Sequence, residues 1–199
     1  MTNQTHFTNK STAVKSVIVL VLIGAILGGL LAILNDILYV SPEERTMRTI
    51  KNFYDGVEQN YTVLEVSSND AVNQFGKVDI VYQIADGNYL IKTTGNHGFH
   101  EGTVTMWLLA KFDNGAFVEF LKIKYAENEG QTLMSNFSDE FYDVYLGNDI
   151  KNGYFTVDKA QQNNNVVAGA TKSSIAINNA INCAYYYISN VLEVMLNEG

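Results

Sequence analysis

Residues 102–127, "GTVTMWLLAKFDNGAFVEFLKIKYAE", decide the fold class. Two runs rich in β-branched and aromatic residues flank Asn114-Gly115, a pair favoured where a hairpin turn needs positive φ at both central positions. In the second arm Phe117, Glu119, Leu121, Ile123 and Tyr125 alternate with Val118, Phe120, Lys122 and Lys124. Both sets are rather apolar, which predicts one face over a core and the other against a helix or ligand. Residues 77–95, "KVDIVYQIADGNYLIKTTG", repeat the plan around Asp86-Gly87. Two such hairpins predict an antiparallel sheet with helices packed on it, an α+β domain.

The helices announce themselves at both ends of this sheet region. In "SPEERTMRTIKNFYDGV", 41–57, Ser41 suits an N-cap, Pro42 the first helical position, and Glu43 and Glu44 the first turn. Ile50, Phe53, Tyr54 and Val57 follow at helical spacing and predict a face that packs onto the domain. Residues 133–147, "LMSNFSDEFYDVYLG", read as a short helix ended by Gly147. A loop-rich passage follows, with a short strand expected at 154–157. The last helix is expected from about Lys172, its core face formed by Ala176, Ala180, Cys183, Ala184, Tyr187, Val191 and Met195.

Ahead of all this, "SVIVLVLIGAILGGLLAILN", 16–35, contains no charged residue. About 20 apolar residues suffice for a helix to cross roughly 30 Å of hydrocarbon. A cleaved signal peptide is the competing explanation, but its apolar core runs to about 7–15 residues before a small-residue cleavage site, and "NDILYVSPEE" offers no A-x-A. Gly24 and Gly28 give one GxxxG spacing, which would let another membrane helix come close. The expected organisation is a cytoplasmic tail at 1–15, a transmembrane anchor at 16–38, a helical stalk at 39–60 and an extracytoplasmic domain at 61–199. Lys10 and Lys15 are the only charges before Asp36 and favour a cytoplasmic amino terminus, although Arg45, Arg48 and Lys51 weigh the other way. All 21 acidic residues lie beyond the apolar run. So acidic a domain is a poor partner for nucleic acid. With Cys183 as its one cysteine the chain has no internal disulfide, so its core must hold the fold.

One short stretch combines features of a binding site. In "AGATKSSIAINNAI", 168–181, Gly169 permits a tight turn and its small neighbours let a bulky group approach the backbone. Thr171, Lys172, Ser173 and Ser174 then open a helix, where unpaired N–H groups and the helix dipole favour an anion. These features fit a phosphate site and fit equally a plain Thr N-cap.

The same stretch resembles the end of the FMN-binding domain of the RnfG and NqrC type, carried by membrane-anchored components of the Rnf electron-transport complex and of the sodium-pumping NADH:quinone reductase. In that family Ser/Thr-Gly-Ala-Thr precedes the final helix, and the last Thr carries FMN through a phosphodiester bond made by a flavin transferase. The similarity extends along most of the chain. "NDILYVSPEERTMRTI" follows a single anchor as in the family's opening, and "GNHGFHEGTVTMWLLAKFDNGAFVEFLKI" looks like its glycine-rich segment and hairpin. "ENEGQTLMSNFSDEFYDVYLG" stands where the family has a Glu-Thr-Pro-Gly-Leu-Gly loop and a helix.

The resemblance implies that Thr171 is the FMN acceptor, within Gly169, Ala170, Lys172 and Ser173. It also implies that Glu129, Thr132 and Leu133 in the middle loop, and Gly98 in the glycine-rich segment with Gly95 and Gly102, belong to the cofactor site. The chain departs from the family where transferase recognition wants an Asp six residues, and a Ser or Thr three residues, before the acceptor: it has Asn165 and Ala168. In the middle loop Gly130, Gln131, Thr132 and Met134 replace Thr, Pro, Gly and Gly.

Elsewhere the sequence offers less. Tyr89, Phe99 or Trp107 would suit stacking on a flavin ring, but an aromatic on a sheet more often serves a core. His97 and His100 flank Gly98-Phe99 without a nearby third ligand, a poor frame for a metal. Cys183 on the last helix fits a small core residue better than a nucleophile. Asp139, Glu140 and Asp143 fit a solvated helix face. The expected function is a membrane-anchored subunit of an Rnf-type, ion-translocating complex, relaying electrons through FMN among other membrane subunits rather than catalysing on its own. Its alternatives are a stand-alone extracytoplasmic FMN carrier and a flavin-free structural or binding module of the same fold.

Overall fold

The computed structural model describes residues 5–146, 150, 153–156, 167 and 169–198. The chain divides into two compact units, Met1–Arg48 and Thr49–Gly199.

In the first unit, helix α1 (Thr5–Leu38) carries the uncharged run and extends back through most of the stretch expected as a tail. An 18-residue stretch within Thr12–Leu38 reaches a mean hydropathy of 3.1 and has no buried residue, so the helix is long and apolar enough to cross a membrane. Helix α2 (Pro42–Phe53) starts where the sequence places it. The Ser41 hydroxyl accepts from the Glu44 N–H at 3.1 Å, the N-cap bond that an N-terminal Ser is suited to make.

The last turn of α2 belongs to the second unit, where Ile50 and Phe53 are buried against Tyr82, Ile84, Leu90 and Leu109. The expected stalk is shorter than its sequence pattern: Asp55 and Gly56 take positive φ, the helix stops at Phe53, and Val57 is exposed.

An antiparallel sheet fills the middle of this unit. After β1 (Tyr61–Leu64) come a single helical turn α3 (Ser68–Ala71) and a two-residue strand β2 (Val72–Asn73). The long strands β3 (Gly76–Ile84), β4 (Tyr89–Gly95), β5 (Thr103–Asp113) and β6 (Ala116–Glu129) follow. Their spatial order is β1-β3-β4-β5-β6, with β2 beside β3. Both hairpins form as the sequence predicts. Asp113 pairs with Ala116 across Asn114 and Gly115, whose φ values of 50° and 80° are those of a two-residue primed turn.

Simple alternation along β6 fails, however. Phe117, Phe120 and Ile123 are buried together in one cluster, while Val118, Leu121 and Tyr125 are exposed. Register shifts between β5 and β6 at Leu109/Ala110 and Lys111/Phe112 insert extra residues. Each such bulge turns the following side chains to the other face, so buried positions recur every third residue.

Helix α5 (Thr171–Tyr187) lies across the sheet face formed by Val78, Val81, Ile91, Met106 and Leu108. It can come that close because position 95 is glycine: a Cβ there would strike the backbone of Ala176 and Ala180. The Thr93 hydroxyl donates to the Ala180 carbonyl at 2.7 Å, fixing helix to strand. Ala176, Ala180, Cys183, Ala184 and Tyr187 are buried as predicted, but Met195 is exposed and Val191 only half-buried. A π-helical turn at Ile188–Leu192 adds one residue to the period before α6 (Glu193–Glu198). Ile188 and Leu192 therefore take the inward positions.

The stretch expected as one helix at 133–147 is a 3₁₀ turn (Met134–Asn136) followed by the five-residue α4 (Asp139–Asp143), with Gly147 outside the described residues. Residues 153–156 form no strand, and Val157 lies outside the described residues. The Asn182 amide takes the place of a neighbouring strand. Its Oδ1 accepts from the Phe155 N–H at 2.8 Å and its Nδ2 donates to the Phe155 carbonyl at 2.7 Å.

Candidate functional site

The first turn of α5, the loop after β6 and the loop between β4 and β5 meet around one cavity of about 280 Å³. Its walls are Phe99, Thr132, Leu133, Gly169, Ala170, Thr171, Lys172 and Ser173. All five residues singled out on the helix start, and Thr132 and Leu133 of the middle loop, thus come together.

The local chain geometry explains why Thr171 is accessible. Gly169 has φ of +80°, a left-handed turn that a side chain would strain, and a Cβ there would meet nothing. The turn delivers Ala170, not Thr171, to the cap position of α5, and Ala170 has no side-chain oxygen with which to cap. Thr171 is the first helical residue and exposed. The plain N-cap explanation for this threonine is therefore overturned by the geometry.

Three hydroxyls stand on this turn, and two are committed. Ser174, buried, donates to the Ala170 carbonyl at 3.1 Å and accepts from the Val167 N–H at 3.2 Å. Ser173, also buried, donates to Gln131 Oε1 at 2.9 Å. The Thr171 hydroxyl has no partner among the described residues, and Thr171 is exposed on the cavity wall. The first N–H groups of a helix have no acceptor within it, and here the cap residue Ala170 supplies none from its side chain. The cavity thus offers backbone donors and the positive end of a helix dipole, with Lys172 exposed beside them.

Opposite this polar wall the lining is apolar. Phe99 is 42% exposed and Leu133 39%, and both open onto the cavity. Gly98 and Glu129 do not line the cavity. Gly98 packs behind Phe99 against the Gln131 side chain, and Glu129 contributes its backbone carbonyl to that side chain at 3.0 Å.

Nothing in the sequence singles out Gln131 except its departure from the family loop, yet it is 8% exposed and ties the three segments together. No short-range pattern signals such a residue; only its partners at 99 and 173 reveal it.

The remaining candidates are elsewhere. Of the three aromatics considered for stacking, only Phe99 is at the cavity. Tyr89 is buried in the main core, and Trp107 lies on the opposite sheet face, stacked on Tyr82 at 6.0 Å. His97 Nδ1 is 3.5 Å from Glu101 Oε2, and among the described residues no three potential metal ligands gather. Cys183 is buried beside Asn73, and desolvation pushes its thiol pKa up to about 12, which suits a core residue and not a nucleophile. Asp139, Glu140 and Asp143 are exposed on α4. Asn165 and Ala168 lie outside the described residues.

No protein-family model, curated protein or solved structure matches the chain.

Proposed function

We propose that this chain is a membrane-anchored flavoprotein that carries FMN by a phosphodiester bond to Thr171 and relays electrons between partner subunits of an Rnf-type complex. The observation that supports it most is the state of Thr171. The residue that the family resemblance makes the acceptor is an exposed hydroxyl on a cavity wall, freed from any capping role.

The residues present fit the group. A phosphodiester keeps one negative charge, which the N–H groups of Thr171, Lys172 and Ser173 at the helix start and the Lys172 ammonium would offset. Gly169 and Ala170 leave room beside the phosphate, while Phe99 and Leu133 offer apolar surface to a ring system. Thr132 adds a hydroxyl on the same wall. FMN, once attached, supplies one- and two-electron chemistry, and the protein supplies position and partial shielding. At about 280 Å³ the cavity is at the small end of ligand sites, roughly 300–1,000 Å³, so it would enclose only part of the cofactor. A carrier that must pass electrons to neighbouring subunits benefits from such an open edge.

Attachment through a covalent bond would also retain the cofactor where free FMN is scarce, consistent with an extracytoplasmic domain on the α1 anchor. The other subunits of the complex would supply the donor and acceptor, and a flavin transferase the attachment. The test is the visible absorption spectrum of the full chain purified after co-expression with a flavin transferase. Flavin bands at near one per chain are expected. Colourless protein, from cells in which the transferase flavinylates another substrate, would sink the proposal.

A further inference from the structure

The geometry points to Gln131 as the positioning residue of this site: one buried side chain, which does not itself line the cavity, sets the placement of three of its walls. The inference rests on the FMN reading, since it concerns how that site is held.

Gln131 Oε1 accepts two bonds, from the Phe99 N–H at 2.9 Å and from the Ser173 hydroxyl at 2.9 Å. Its Nε2 donates two, to the Phe99 carbonyl at 3.3 Å and the Glu129 carbonyl at 3.0 Å. A carboxamide has two donor hydrogens and two acceptor lone pairs, so the group is fully used. It grips both peptide groups of Phe99, the third residue of α5 and its own loop. The loop in turn is braced where the Gln131 N–H donates to Asn128 Oδ1 at 3.1 Å and Asn128 Nδ2 donates to the Tyr125 hydroxyl at 2.6 Å.

Two glycines border this side chain: a Cβ at Gly98 would meet both Gln131 Nε2 and the Gly102 carbonyl, and one at Gly102 would strike the Glu129 carbonyl and Gln131 Nε2. The Gly98 N–H closes the loop on the Gly102 carbonyl at 2.8 Å. Between them His100 and Glu101 adopt φ of 49° and 57°, a left-handed conformation uncommon without glycine. The loop would not be expected to hold that shape alone; the Gln131 bonds to Phe99 over-determine it. Gln131 stands where the family loop has proline, so this latch belongs to this chain. Because Ser173 spends its proton on Gln131, the latch also leaves Thr171 as the accessible hydroxyl of the turn.

The test uses the full chain in detergent with Thr171→Val as parent, so that FMN binds only reversibly. FMN itself is the probe, titrated by fluorescence polarisation. Adding Gln131→Met, which keeps volume and removes every polar contact, should weaken FMN binding by about tenfold or more, a net hydrogen bond's worth. Amide exchange in 97–102 should accelerate while Trp107 keeps its native emission. Unchanged FMN affinity overturns the inference, whether or not exchange accelerates. Should Gln131→Met not fold, Ser173→Ala, which removes one of the four bonds, decides on the same titration: weaker binding supports the latch and equal binding refutes it. If the parent binds no free FMN, the flavin yield of the Thr171-bearing chain co-expressed with a flavin transferase decides instead: a lower yield with Gln131→Met supports the latch, an equal yield refutes it, and no flavin on either chain overturns the FMN reading itself.

Discussion

Gly95→Ala probes the contact that places the whole site. Gly95 has ordinary backbone angles, so alanine brings no conformational strain there. In an open position it would stabilise the strand by about 0.5–1 kcal/mol through reduced backbone entropy. Its Cβ would instead meet the Ala176 carbonyl and the Ala180 backbone, which cannot rotate aside as a side chain can. Helix α5 must withdraw. Overpacking of this kind costs about 1–3 kcal/mol. Withdrawal also stretches the buried bond from Thr93 Oγ1 to the Ala180 carbonyl, and leaving such groups unpaired costs about 1–3 kcal/mol more.

The total of about 2–6 kcal/mol is a large share of the roughly 5–15 kcal/mol that folded domains possess. Trp107, the single tryptophan, lies in β5 and reports on this domain without interference from α1. With a urea slope of about 2 kcal/mol/M, the unfolding midpoint followed by Trp107 emission should drop by about 1–3 M. The sign is decisive. A midpoint equal to or above that of the parent would mean that α5 does not press on β4 at this glycine. Since α5 carries Thr171 at its start, the cavity would then lack its supporting wall.

Two further outcomes follow from the core. Cys183, with its pKa raised by burial, should resist a maleimide at neutral pH in the folded chain and react on unfolding; prompt labelling of native protein would contradict its place in the core. The π-helical turn predicts a contrast between Leu192→Ala, costing about 2–5 kcal/mol, and Met195→Ala, costing within about 0.5 kcal/mol. Equal costs in Trp107-monitored urea unfolding would show that the helix keeps a regular period instead.

Much of this architecture was legible because its signals are local. The Asn114-Gly115 and Asp86-Gly87 turns, the Ser41-Pro42 helix start and the apolar run of α1 each rest on a few adjacent residues whose preferred backbone conformations agree. What failed to show was phase. Bulges in the β5–β6 ladder and the π turn after Tyr187 each insert a residue, and the sequence patterns carry no mark of them because the inserted residues have ordinary side chains. Periodicity therefore put Val191 and Met195 on the inward face of the last helix, where Ile188 and Leu192 stand instead.

The site divided in the same way. Gly169, Ala170 and Thr171 are contiguous and visible as a motif, and the helix start that follows them is where the pattern put it. Gln131 is invisible for the opposite reason: its importance lies in bonds to residues 32 and 42 positions away. Phe99 could be proposed but not chosen over Tyr89 and Trp107, since the sequence does not show that Tyr89 and Trp107 lie on β4 and β5 away from the cavity while Phe99 stands in the turn between those strands.

A flavin esterified to Thr171 is detected most directly by in-gel fluorescence of the denatured full chain after co-expression with a flavin transferase. Parent, Thr171→Ala and Thr132→Ala would be run side by side, because Thr132 presents the other exposed hydroxyl on the cavity wall. Fluorescent bands are expected for the parent and Thr132→Ala, and a dark band for Thr171→Ala. Fluorescence that survives in Thr171→Ala, or darkness in all three beside a transferase active on another protein, would contradict the assignment of Thr171 as the FMN carrier.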